Sequence, residues 1–173
     1  WMSDATKQQA VIKLDAIIKK IGYPDRWRDY SALQVAAAAP AAELLRRSLA
    51  FEMNRQLTKI GTKVDRTEWE MTPPTVNAYY NPTFNEIVFP AGILQPPYFD
   101  PRVDDAYNYG AIGMVIGHEI THGFDDEGRQ YDKDGNLKDW WTDEDGKKFK
   151  DKAALVVAQY NGYVAVDTLH VNG

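Results

Sequence analysis

An α+β fold, mostly helical with a small β-hairpin sheet, is predicted by three observations. Apolar residues recur at three- and four-residue spacing in several long segments, the period of a helix with one buried face. Two short β-favouring runs flank an Asn-Pro turn signal, the pattern of a hairpin. Helical segments lie on both sides of that hairpin and do not alternate with strands, so helices and sheet segregate. A length of 173 residues suits a single domain with its own core.

The elements follow in order. Residues from about Ser3 to Ile21 predict an amphipathic helix, with Val11, Leu14, Ile17 and Ile18 on one side and Lys13, Lys19 and Lys20 on the other. Gly22 and Pro24 end it. A second helix fits Ala41 to Ile60, with Leu44, Leu45, Leu49, Met53 and Leu57 as its apolar stripe and Gly61 as its stop. Thr75–Tyr80 and Glu86–Phe89 are the hairpin strands, joined through Asn81-Pro82-Thr83-Phe84. Pro90 and Pro96-Pro97 keep the second strand short.

A third helix begins at Asp104 or Asn108 and runs to Gly123. Its three glycines, Gly110, Gly113 and Gly117, each cost helix propensity and point to close packing against a neighbouring element. A polar loop from Asp125 to Asp139 follows, in which Asp134-Gly135-Asn136 reads as a turn. Its glycine falls at the wrong position for a calcium loop. Thr142 then caps a fourth helix reaching about Tyr163, with Asp145 three residues on. Trp140-Trp141 reads as core, not as a stacking platform.

Composition excludes several classes of function. A net charge of −5 argues against nucleic-acid binding, which normally uses a basic face. No apolar run approaches the ~20 residues of a membrane span, and the N-terminus lacks the basic and apolar regions of a signal peptide. There are no cysteines, so neither a disulfide framework nor a thiolate ligand is available. Such a chain suits the cytosol and the periplasm alike, which leaves localisation open.

Any metal must therefore be held by nitrogen and oxygen. The chain has three histidines, and two of them, His118 and His122, bracket Glu119 in the third helix. Four residues advance about 400° around a helix, so both imidazoles project from one face and reach one Zn²⁺. Glu119 lies beside the pair, where it faces a zinc-bound water instead of the metal. Zinc lowers the pKa of that water, and the carboxylate removes a proton as the oxygen attacks a peptide carbonyl. Asp125, just past the helix end, either accepts the other ring N–H of a ligand histidine or is simply a loop carboxylate beside Asp126 and Glu127. Asn77-Ala78-Tyr79-Tyr80 either offers an edge strand to an extended peptide or is plain hairpin packing. His170, three residues from the chain end, reads as a surface or packing residue.

Several stretches resemble the neprilysin-like (M13) zinc peptidases. They are Val76-Asn77-Ala78-Tyr79-Tyr80, Ile87-Val88-Phe89-Pro90-Ala91-Gly92-Ile93-Leu94-Gln95, and Asn108-Tyr109-Gly110-Ala111-Ile112-Gly113 leading into His118-Glu119-Ile120-Thr121-His122-Gly123-Phe124-Asp125-Asp126. Gly135-Asn136-Leu137-Lys138-Asp139-Trp140-Trp141 continues the likeness. The resemblance implies a thermolysin-like catalytic domain packed against a helical domain, and a zinc endopeptidase acting on peptides and small polypeptides. It implies His118 and His122 as zinc ligands, Glu119 as general base, Asp125 as the carboxylate behind a ligand, and Asn77 and Ala78 as the strand that binds substrate backbone.

The resemblance also marks a departure. The family's third zinc ligand is a Glu in a downstream Glu-Asn-Ile-Ala-Asp segment, which this sequence lacks. Residues 1–173 are therefore expected to be the first part of a metallopeptidase catalytic domain, holding zinc weakly or not at all when isolated. The alternative expectation for the isolated chain is an inactive, helix-rich piece that self-associates through apolar surface.

Overall fold

The computed structural model describes residues 1–173. Strand β3 (Glu86–Pro90) is its centre, buried at every position. β1 (Ile18–Gly22) pairs with it in parallel, from Ile18 opposite Glu86 to Gly22 opposite Pro90. On the other side β2 (Tyr79–Asn81) pairs antiparallel, with Tyr79 opposite Val88 and Asn81 opposite Glu86. The order β1-β3-β2 leaves β2 as an edge strand. Ile17, Ala78, Ile87, Phe89, Ile93 and Ile112 form the buried cluster, and Tyr80, Leu94, Val115, Ile120 and Phe124 pack around it. Each fully buried large apolar side chain contributes about 1.5–3 kcal/mol, so stability concentrates on this sheet.

The first predicted helix divides in two. α1 covers Asp4–Asp15, and the chain then enters β1. β-branched Ile17, Ile18 and Ile21 suit a strand, and the ladder to β3 satisfies their backbone. Asn85 organises the change: its carbonyl accepts the Ile18 N–H at 2.9 Å, and its side-chain amide donates to the Lys13 carbonyl at 3.2 Å. The inward face is also reversed. Thr6 and Lys13 are the buried residues of α1, whereas Val11 and Leu14 are exposed. Both polar groups find enough partners to offset their burial, as Asp145 shows for Thr6. Its Oδ2 accepts the hydroxyls of Thr6, Ser3 and Thr142, and its Oδ1 accepts the Ser3 amide.

α2 (Ala41–Leu57) has the predicted stripe but no buried residue, and Leu45, Leu49, Met53 and Leu57 stand exposed. The third predicted helix breaks into α3 (Asp105–Gly110) and α4 (Ile112–His122). Ala111 at φ −97°, ψ −90° marks the break, and the Ile112 amide donates to the Tyr98 carbonyl at 2.9 Å. α5 (Asp143–Asn161) starts on the expected Thr142 cap, whose hydroxyl accepts the Asp145 amide. The Asp145 carboxylate reaches across to α1, so the box is only half formed. A terminal hairpin, β4 (Val164–Val166) with β5 (Leu169–His170), is an element the sequence pattern does not announce.

Trp141 is buried and Trp140 half-buried, as core residues. The 132–136 segment closes as a turn, with Asp132 Oδ1 accepting the amides of Asp134 and Asn136 and Gly135 at φ +82°.

Candidate metal centre

α4 is positioned by its apolar side. Ile112 is buried in the core cluster, and Val115 and Ile120 pack on it. That orientation leaves His118 and His122 on the exposed face. Their Nε2 atoms converge to 3.0 Å, with the rings perpendicular. Two nitrogens bound to one tetrahedral zinc at ~2.0–2.1 Å would stand roughly 3.3 Å apart, so the pair fits a shared metal with little adjustment. Two ligands do not complete a site, however. No group of three or more His, Cys, Asp or Glu side chains able to hold a metal exists in the chain. Exposed His170 sits on β5 with Nδ1 3.2 Å from the Asn161 carbonyl, outside any such group.

Glu119, between the two histidines, is 6% exposed. Asp125 stands behind the second histidine, its Oδ2 facing His122 Nδ1 at 3.5 Å. Its other oxygen accepts the amides of Glu127 (3.0 Å) and Gly128 (2.7 Å). A carboxylate on the Nδ1 side favours the tautomer that keeps the Nε2 lone pair for a metal. The turn that makes this possible requires glycine at 128, where a Cβ would lie 2.1 Å from the His122 carbonyl oxygen.

Asn77 and Ala78 lie just ahead of β2, which starts at Tyr79 and not at Thr75. Exposed Asn77 uses its side-chain oxygen to accept the Ala78 amide at 2.9 Å, while Ala78 is buried in the core. β2 itself lies against α4: a Cβ on Gly123 would approach the Tyr80 ring to 3.0 Å. Burial pushes the Tyr80 hydroxyl well above its ordinary pKa, with the Asp125 charge adding to the effect. The edge strand and the histidine helix are thus direct neighbours. The expected packing over the helix glycines is absent at Gly110 and Gly117, which face open space, whereas Gly113 lies in ordinary contact with Asn108 and Tyr109 of α3. A cavity of about 750 Å³ lined by Trp27, Tyr30, Arg55, Glu68, Trp69 and Phe84 includes no residue of α4 and takes no part in this centre.

Sequence reasoning misses one buried group beside the centre. Lys13 is 1% exposed, and its ammonium donates to the carbonyls of Gly123, Gly128 and Tyr131, each at 2.7 Å. Nothing in the local pattern marks it, because the apolar period of the segment assigns it to the outer face.

Residues 77–173 match the family model described as peptidase family M13. Across its whole length the chain is 42% identical to neprilysin-11 of Caenorhabditis elegans and 45% identical to endothelin-converting enzyme 1 of Rattus norvegicus. It is 44% identical to human neprilysin over 94% of its length. It spans only 21%, 23% and 23% of those three proteins, respectively. Among solved structures, the zinc metalloprotease Zmp1 of Mycobacterium tuberculosis in complex with inhibitor superposes at a TM-score of 0.93 and 52% identity. PepO from Lactobacillus rhamnosis superposes at 0.86 and 41% identity. Each of these two comparisons covers 99% of this chain and 27% of the other. With more than half its residues inside the family model and this architecture shared with solved relatives, the chain belongs to peptidase family M13.

Proposed function

We propose that the protein carrying this chain is a zinc-dependent endopeptidase that hydrolyses peptide bonds in peptides and small polypeptides. The convergence of the His118 and His122 Nε2 atoms to 3.0 Å carries the reading. In it, these histidines are two zinc ligands, Glu119 is the general base, and Asp125 orients His122. When bound, zinc supplies the Lewis acidity that activates water and polarises a carbonyl. Glu119 takes the proton from the attacking water and returns it to the leaving amine. An extended substrate lies along the β2 edge, with Asn77 and Ala78 beside its backbone. Asn77 retains its amide N–H donors for that contact, because only its oxygen is engaged by Ala78.

Residues 1–173 are read as the first part of the catalytic domain, with the third ligand supplied from outside them. Stable zinc sites of this class use three protein ligands and a water, so the isolated chain holds zinc weakly. Peptide cleavage by the full-length protein should disappear with 1,10-phenanthroline and return when zinc is restored. Cleavage indifferent to the chelator would overturn the reading.

A second reading concerns the isolated chain. The α2 stripe of Leu45, Leu49, Met53 and Leu57, each more than half exposed, supports a non-catalytic piece that self-associates through this surface.

A further inference from the structure

We propose that Lys13 is a positioning residue for the metal centre, holding the turn after α4 so that Asp125 stands behind His122. The proposal rests on His122 being a zinc ligand. Lys13 reaches the turn from α1, 64 residues ahead of Asn77, where the M13 match begins. Its three N–H donors are all used, on the carbonyls of Gly123, Gly128 and Tyr131. Gly123 is the C-cap of α4, so the first of these bonds satisfies a helix-end carbonyl at the negative pole of the dipole. The rings of Tyr80, Phe124 and Trp140 stand 5.5–5.9 Å from the ammonium, within cation–π range.

The carbonyls of Gly123 and Gly128 bracket Asp125 in the chain. Gly128 is the shared element: its amide donates to Asp125 Oδ1 at 2.7 Å, and its carbonyl accepts from Lys13 at 2.7 Å. With one carboxylate oxygen tied down in this way, the other is aimed at His122 Nδ1. Removing the ammonium would leave three carbonyls to find new partners and would free the turn to move the carboxylate. Burial lowers the Lys13 pKa to about 8, against the opposing charges of Asp125 and Asp132. The lysine therefore occupies this slot at a cost in solvation that its partners offset only in part.

The test is a zinc-affinity cycle on the full-length protein, read by chelator competition at a temperature where melting curves show every variant folded. Lys13→Met should weaken zinc binding about tenfold, within the ~10–100-fold range for loss of a group supporting a ligand. Because Lys13 acts through Asp125, Lys13→Met/Asp125→Ala should bind no more weakly than Asp125→Ala alone. Wild-type affinity in Lys13→Met, or penalties that multiply in the double variant, would overturn the proposal. If Lys13→Met does not fold, Lys13→Gln, whose amide can donate to at most two of the three carbonyls, replaces it in the cycle. Weakened zinc binding that does not multiply with Asp125→Ala is then expected, and wild-type affinity or multiplying penalties would overturn the proposal. His118→Ala and His122→Ala separate the two levels. Zinc retained by both would sink the ligand assignment itself, whereas zinc lost by both and kept by Lys13→Met would sink only the role of Lys13.

Discussion

Nδ1 of His122 faces Oδ2 of Asp125 at 3.5 Å, while the opposite oxygen of that carboxylate is held by the amides of Glu127 and Gly128. The carboxylate is thus oriented by the backbone. Asp125→Ala in the full-length protein should weaken zinc binding about 10–100-fold. Asp125→Asn, which keeps an oxygen at the same place, should lose less. Competition against a chelator of known affinity measures both, and an unchanged dissociation constant for the alanine variant would show that the pair has no bearing on the metal.

Asp145 joins the starts of α1 and α5. The hydroxyls of Thr6 and Ser3, followed by that of Thr142, hold its carboxyl well below the ordinary value of 3.8. The sign of the pH effect follows. The unfolded chain takes up a proton near pH 3.8 while the fold keeps the group ionised, so its stabilisation is present above that pH and is lost as pH falls toward the depressed folded value. Asp145→Asn should lower the melting temperature at pH 7 by roughly 5–10 °C. It should also flatten the acid side of the stability profile. A variant that melts with the wild type at pH 7 would contradict this account.

The exposed stripe of α2 bears on the isolated chain. Leu45→Glu with Leu49→Glu should shift sedimentation of the 173-residue chain toward the monomer. No α2 residue is buried, so fold stability should change by only about 0.5 kcal/mol per site. A wild-type chain that is monomeric at every concentration would remove the self-association reading.

The histidine helix is legible in the sequence because its information is local. His118 and His122 need only the helical period to share one side, Glu119 is their neighbour in sequence, and Asp125 follows within a turn. The hairpin is legible for the same reason, through the Asn81-Pro82 signal. What the sequence hides is non-local. β1 becomes a strand because β3, some 68 residues later, offers a parallel partner, and no pattern within residues 3–21 records that.

Lys13 turns inward against the apolar period because three carbonyls and three rings await it, all from distant segments. The break at Ala111 depends likewise on the Tyr98 carbonyl capturing the Ile112 amide. Asn77 and Ala78 sit ahead of β2 because pairing with β3 begins only at Tyr79.

The most direct test of the central claim is peptide hydrolysis and zinc content measured together on Glu119→Gln in the full-length protein. In the proposed function Glu119 carries the proton and is not a ligand, so hydrolysis should fall by about 10²–10⁴-fold with zinc stoichiometry unchanged. Activity within about tenfold of the wild type would contradict the assignment of Glu119 as the base, and loss of zinc along with activity would contradict its separation from the metal ligands.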